Sequence, residues 1–319
     1  MHIPDGFLDA KTALVTGGLS AAGLGYALRS VRLELPPRRV PLLGLAAAFL
    51  FAAQMVNFPV LGGTSGHLVG GALVAALLGP AAAVVVVSTV LIVQCFLFAD
   101  GGVMALGANI FNMGLVSTFT GYAIFRLVAR VLPGLRGQVA ALAFAGWCST
   151  VLASISCAGQ LAWSGTVAWR VGLPAMAGVH ALIGLGEGAV SALVFLAIVR
   201  TRPDLLPERA TAGFAPAKVR EFVVLGLLTA LGVALFVAPF ACPWPDGLES
   251  IAAKLGFAHR EWSPLITSPV ADYHVPGLAS PGVSTALAGA LGVLVVFGLA
   301  IGFSQLVVQK PARVPANSR

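Results

Sequence analysis

Long apolar runs, broken by short basic or Pro- and Gly-bearing segments, make up most of this chain. A helix needs about 20 mainly apolar residues to cross a bilayer. Runs of that kind lie near residues 12–29, 40–58, 66–79, 81–99, 104–127, 137–160, 175–199, 221–240 and 284–308. The third is short and meets the fourth at Gly79-Pro80, which predicts a tight helical hairpin. The predicted fold is an all-α polytopic membrane protein. A bundle of about seven helices is followed by two C-terminal transmembrane helices with an extracytoplasmic loop near 241–283. Composition agrees: of 319 residues 58% are apolar and 10% charged, against about 25% charged in a soluble domain.

The +7 net charge is scattered over loops, so it marks topology and argues against nucleic acid as a partner. With the N-terminus outside, 15 of the 19 Lys and Arg residues fall in inner loops, leaving only Lys11, Arg170, Lys254 and Arg260 outside. That asymmetry predicts an outer N-terminus and a cytoplasmic C-terminus in a bacterial inner membrane. Residues 201–220 are polar, basic and proline-bearing. They read as a cytoplasmic linker between a membrane domain at 1–200 and a two-span domain at 221–319.

The chemistry concentrates at the first residues, Met1-His2-Ile3-Pro4-Asp5-Gly6-Phe7. A free α-amine, the His2 amide nitrogen and a His2 ring nitrogen can close two fused chelate rings on one metal ion. Such planar nitrogen coordination suits Ni(II) or Cu(II) and can be imposed on Co(II). A signal peptide would remove this group, but Asp5 and Asp9 with only Lys11 do not make a basic n-region. His2 is bulky, so the initiator Met is expected to stay.

His67, in Gly62-Gly63-Thr64-Ser65-Gly66-His67, is the candidate fourth ligand. Thr64 or Ser65 is expected to cap a helix starting there, and the topology puts His67 on the same side as Met1 and His2. Asn109 and Asn112 share a helix face and could orient the N-terminus or bond between helices. His180 and Glu187 also share a face, two turns apart. A Glu at this depth is a functional candidate, as a supporting partner, proton carrier or coupling contact. Ala13, Gly17, Ala21 and Gly25 form a small-residue ridge on the first span, suited to close packing with a partner helix. The four cysteines show no zinc spacing. No GxxxxGK[ST] string occurs, so the chain cannot hydrolyse ATP by that route and is not read as an enzyme.

In order along the chain, Met1–Leu8 (MHIPDGFL), Gly63–Leu73 (GTSGHLVGGAL), Asp100–Gly114 (DGGVMALGANIFNMG) and His180–Gly188 (HALIGLGEG) resemble the CbiM/NikM family. That family is the metal-binding membrane component of energy-coupling-factor cobalt and nickel transporters. Pro245-Asp246-Gly247-Leu248-Glu249 and Ser268–Tyr273 resemble the two-span PDGLE-type accessory component, often fused behind it. The resemblance implies Ni(II) or Co(II) as transported substrate, with no resident cofactor. It implies ligation by the Met1 amine, the His2 amide and imidazole nitrogens, and the His67 imidazole. It also implies a membrane coupling subunit and cytoplasmic ATPases as partners. Asp5, Asn109, Asn112, His180 and Glu187 then remain supporting or gating candidates, with Asp5 expected to hold the amine or the His2 ring. The planar donor set and the PDGLE-like fusion favour nickel. The other reading is a self-sufficient proton-coupled divalent-metal permease using Glu187.

Overall fold

The structure, a computed structural model, describes residues 1–202 and 216–308. Helices occupy all nine apolar runs. α1 (Ala10–Glu34) starts where the Asp9 carboxylate accepts from Thr12 N at 2.8 Å, capping a free N–H. α2 (Val40–Met55) and α4 (Pro80–Phe98) carry proline in the first turn, where no N–H is needed. Between them come β1 (Phe58–Val60), β2 (Thr64–Gly66) and α3 (Gly71–Leu78). The expected hairpin is present: Gly79 N donates to Ala75 O at 2.9 Å, and Pro80 opens α4.

The rest of the bundle follows the predicted order. α5 (Leu106–Asn109) runs through a π-helical segment, Ile110–Val116, into α6 (Ser117–Val131). α7 (Gly134–Trp163) and α8 (Trp169–Thr201) form a long hairpin. α9 (Pro216–Phe236), the short α10 (Gly247–Leu255) and α11 (Pro281–Val307) complete the chain. Among the described residues, five helical segments are long and apolar enough to cross a membrane alone: Pro80–Phe98, Gly134–Trp163, Trp169–Thr201, Val219–Phe240 and Pro281–Val307. The protein is an all-α polytopic membrane protein.

Two local expectations fail. The 66–79 run was expected to be one span, but α3 has 8 residues, about 12 Å at 1.5 Å per residue, too short to cross alone. The helix expected to start at Thr64 or Ser65 is also absent. Thr64–Gly66 is a strand, paired antiparallel with Phe58–Val60 across Gly62-Gly63. Thr64 and Ser65 spend their hydroxyls on the Pro245 and Trp244 carbonyls instead of capping a helix. His67 therefore sits in an extended stretch between β2 and α3.

α4 is apolar on every side and is the central helix, packed by α1, α2, α3 and α11. α7 and α8 turn Leu152, Ile155, Leu182, Leu185 and Leu193 outward, as a lipid-facing surface requires. α9 and α11 pack on α2. This brings the segment between them across the end of the bundle that holds the N-terminus: Trp262 N donates to Asp5 O at 2.9 Å, and Val270 N to Leu97 O at 3.1 Å. On α1 the small-residue ridge divides. Gly17 packs against Gly107 of α5, while Ala21 and Gly25 stay exposed. The linker expected at 201–220 falls largely on residues 203–215, outside the described residues.

Candidate metal centre

The first nine residues are not a solvated tail. Met1, Ile3, Asp5 and Phe7 are buried, and each turn of the segment is tied to the bundle. Ile3 forms two bonds with the Asn109 side chain: Ile3 N donates to Oδ1 at 2.8 Å and Asn109 Nδ2 donates to Ile3 O at 3.1 Å. Gly102 N also donates to Ile3 O, at 2.9 Å. Thr166 Oγ1 donates to Phe7 O at 2.5 Å. Asn109 thus holds the N-terminal segment at Ile3. Asn112 does not: it pairs with Gln160 and Ser156 inside the bundle, in bonds of 2.7–2.9 Å.

Asp5 is placed differently from its expectation. It holds neither the amine nor the His2 ring. It accepts from Val103 N, Met104 N and Ala105 N at 3.0, 2.8 and 3.2 Å, gathering free N–H groups just ahead of α5 as anions do at helix starts. The partners of Met1 and His2 come from farther along the chain. The Met1 ammonium donates to Asp246 Oδ2 and lies 3.1 Å from His67 Nε2. The His2 ring stacks on the His67 ring, with centroids 5.3 Å apart and planes at 22°. Met1, His2 and His67 therefore meet at one point, enclosed also by His180, Thr150 and Gly247.

Metal–nitrogen bonds of about 2 Å put neighbouring corners of a tetragonal set about 2.8 Å apart. The 3.1 Å between the Met1 nitrogen and His67 Nε2 is close to that edge. Among the described residues no group of three or more His, Cys, Asp or Glu side chains could hold a metal ion. An ion here would have to draw on main-chain nitrogen as well.

The electrostatics are set by burial and two carboxylates. Burial pushes the His2 imidazole below its ordinary value, against the pull of Asp100 and Asp246, so the ring is neutral near pH 7. Burial alone would raise Asp246. The Met1 ammonium beside it overrides that and holds its carboxyl well below the usual range. An unpaired charge left in such a site costs roughly 3–5 kcal/mol, so the ammonium needs this partner. The two His2 nitrogens each have a polar neighbour: Nδ1 lies 3.1 Å from Asp100 Oδ1 and Nε2 3.2 Å from the side-chain amide of Gln94.

His67 is held from below. Its Nδ1 lies 3.1 Å from Leu68 O, which leaves Nε2 toward Met1. Glu187 accepts from Val69 N and Gly70 N at 2.6 and 2.9 Å. The buried glutamate thus fixes the stretch that presents His67, with both oxygens committed to backbone. His180 turns Nδ1 to Met176 O at 2.9 Å and lies against Gly247 at the wall of the site.

Asp246, Asp100, Gln94 and Tyr273 were not singled out from the sequence. Tyr273 donates to Asp100 Oδ2 at 2.6 Å. Asp246, Asp100 and Tyr273 do lie within the strings that carry the family resemblance, and Gln94 is a polar residue within an apolar run.

Known proteins similar to this chain show its family. Residues 2–205 match the family described as the cobalt uptake substrate-specific transmembrane region, CbiM, and residues 220–309 match the PDGLE domain. The chain is 39% identical over 306 residues to the fused NikMN of Archaeoglobus fulgidus, covering 95% of this chain and 97% of that one. It is 31% identical over 331 residues to the fused nickel transport protein NikMN of Rhodobacter capsulatus, covering 99% and 88%. A crystal structure of a truncated transition metal transporter superposes with a TM-score of 0.58 at 32% identity, over 63% of this chain and 99% of that one. With a buried, anchored N-terminus facing His67 and relatives of this kind over nearly its whole length, the chain belongs to the CbiM family of metal transport proteins, fused to a C-terminal PDGLE domain.

Proposed function

We propose that this chain is the substrate-capturing component of an ATP-driven energy-coupling-factor importer for Ni(II) or Co(II). It takes the ion from outside through the Met1 amine, the His2 amide and imidazole nitrogens and the His67 imidazole. One observation carries this reading: a buried α-amine 3.1 Å from His67 Nε2, under a His2 ring stacked on the same imidazole. With an ion at His2 Nδ1 the ring proton sits on Nε2, facing the Gln94 side-chain amide, and the Asp100 carboxylate lies beside the ion's charge. Two protons leave as the ion arrives, one from the ammonium and one from the amide.

Hydrolysis of ATP belongs to cytoplasmic ATPases, reached through a membrane coupling subunit. The uncovered second half of the α1 ridge, Ala21 and Gly25, suits packing with that subunit. The chain is placed in a bacterial inner membrane with its N-terminus outside and its C-terminus in the cytoplasm, an orientation that the distribution of Lys and Arg supports. Nickel is the favoured cargo, because the donor set is planar and fused relatives are named for nickel.

His2→Ala and His67→Ala are each expected to lose high-affinity Ni(II) binding in calorimetry while helical content stays the same; metal content equal to that of the unaltered protein would contradict the ligand set. Because binding releases protons, affinity is expected to fall as pH drops, and a pH-independent affinity between pH 6 and 8 would contradict an amine–amide chelate. Glu187→Gln puts an NH2 group against one of the two backbone N–H donors. It is expected to weaken Ni(II) binding, roughly 10–100-fold, as the loss of an orienting group does; unchanged affinity would deny Glu187 its part in presenting His67. In liposomes holding this chain alone, Ni(II) is expected to bind without accumulating inside. Proton-driven uptake there would favour the permease reading.

A further inference from the structure

The C-terminal domain reaches the proposed site at two separate points, and both contacts are made by side chains. At the first, Asp246 divides its oxygens between two tasks. Oδ1 caps α10, accepting from Leu248 N at 2.7 Å and Glu249 N at 2.9 Å, and Oδ2 takes the Met1 ammonium. The rest of the Pro245–Glu249 string serves that placement. Pro245 O accepts from Ser65 N at 2.8 Å, bolting the string to β2 beside His67. Gly247 lies so close that a Cβ there would come within 2.8 Å of His180 Cε1. Leu248 is fully buried, and Glu249 returns a bond to Asp246 N at 2.9 Å, completing a capping box.

At the second point, Tyr273 donates to Asp100 Oδ2 while Asp100 Oδ1 faces His2 Nδ1. The phenol ring stacks on Phe98 with centroids 4.7 Å apart. Asp272 and Tyr273 both adopt left-handed backbone, φ 51° and 58°. This conformation is costly for residues with side chains and is kept where surrounding structure demands it. Burial, and Asp100 beside it, push the phenol well above its ordinary value, so Tyr273 acts as a donor.

We infer that Asp246 and Tyr273 are positioning residues of the metal site, so that the PDGLE domain completes the chelating N-terminus: Asp246 fixes the amine, and Tyr273 fixes the Asp100 carboxylate, which orients the His2 ring before the ion arrives and balances the ion's charge once it takes Nδ1. This rests on the ligand set proposed above. The inference also has an electrostatic basis. Two neutral imidazoles, a neutral amine and one deprotonated amide leave a bound dication with one net positive charge. A buried charge needs a compensating partner, and Asp246 and Asp100 supply carboxylates on either side of the chelate. The domain is therefore more than a membrane anchor trailing the bundle. It contributes to how tightly, and in what geometry, the ion is held.

The test uses the full chain with a free Met1 and Ni(II) as probe, comparing the unaltered protein with His67→Ala, Asp246→Asn and Tyr273→Phe. Asparagine is as good an N-cap as aspartate, so Asp246→Asn keeps α10 capped and removes only the charge facing the amine. Tyr273→Phe keeps the ring on Phe98 and removes only the hydroxyl. Both are expected to weaken Ni(II) roughly 10–100-fold and to shift the visible absorption band of the bound ion; thermal unfolding of the ion-free protein is expected to stay unchanged in Tyr273→Phe and to come at lower temperature in Asp246→Asn, where the Met1 ammonium loses its carboxylate. If His67→Ala loses binding while Asp246→Asn and Tyr273→Phe match the unaltered protein in affinity and band, the positioning role is overturned and the ligand set stands. Tighter binding by Asp246→Asn overturns it as well, because the carboxylate would then be competing with the ion for the amine. A weakened affinity with an unshifted band would mean the two residues serve only the fold. If His67→Ala binds like the unaltered protein, the ligand set falls and takes this inference with it.

Discussion

The structure depends on a charged α-amine kept out of water. An ammonium costs several kcal/mol to bury unless a partner meets it, and here the Met1 nitrogen has a carboxylate on one side and an imidazole on the other. Much of the surrounding architecture follows from that demand. The first nine residues must be pinned without helix or strand, so Asn109, Gly102, Thr166 and Trp262 hold the backbone of Ile3, Asp5 and Phe7. His67 must face the amine, so its stretch is kept extended between a hairpin and a short helix, with Glu187 clamping the two N–H groups beyond it.

This arrangement explains why the bundle departs from a simple set of spanning helices. A full helix over 66–79 would carry His67 around a helical turn. Ending the hairpin at Gly66 and starting α3 only at Gly71 leaves four residues whose backbone groups can be aimed individually. Unpaired backbone at this depth is tolerated where protein satisfies it, and Glu187 and Gln54 do so: Gln54 Nε2 donates to Val69 O at 3.1 Å. A glutamate in a membrane helix thereby has a structural reason to be there, separate from any proton path.

How much of this could be read from the sequence depends on how local each piece of physics is. The helices were legible because bilayer crossing demands long apolar runs, and Gly79-Pro80 punctuates a hairpin wherever it falls. The chelating potential of Met1-His2 was legible because its atoms are on adjacent residues. Asn109 and Glu187 stood out as polar groups at apolar depth. Asp5 misled because closeness in sequence to Met1 suggested closeness in space, whereas its carboxylate turns to the amides ahead of α5. Thr64 and Ser65 misled because a hydroxyl that can cap a helix can equally bond a distant carbonyl. Asp246, 245 residues from the amine it meets, could not be placed by any local rule. Only the packing of α9 and α11 on the bundle delivers it.

The central claim is that the free amine of Met1 is itself a metal donor. The most direct measurement is Ni(II) calorimetry on two full-length proteins tagged at the C-terminus, one beginning at Met1 and one carrying a short N-terminal extension. The account expects one ion bound tightly by the first protein and a large loss of affinity in the second, because the extension turns the amine into an amide and the buried pocket has no room for it. Equal binding by both would contradict the account and place any metal site elsewhere in the bundle.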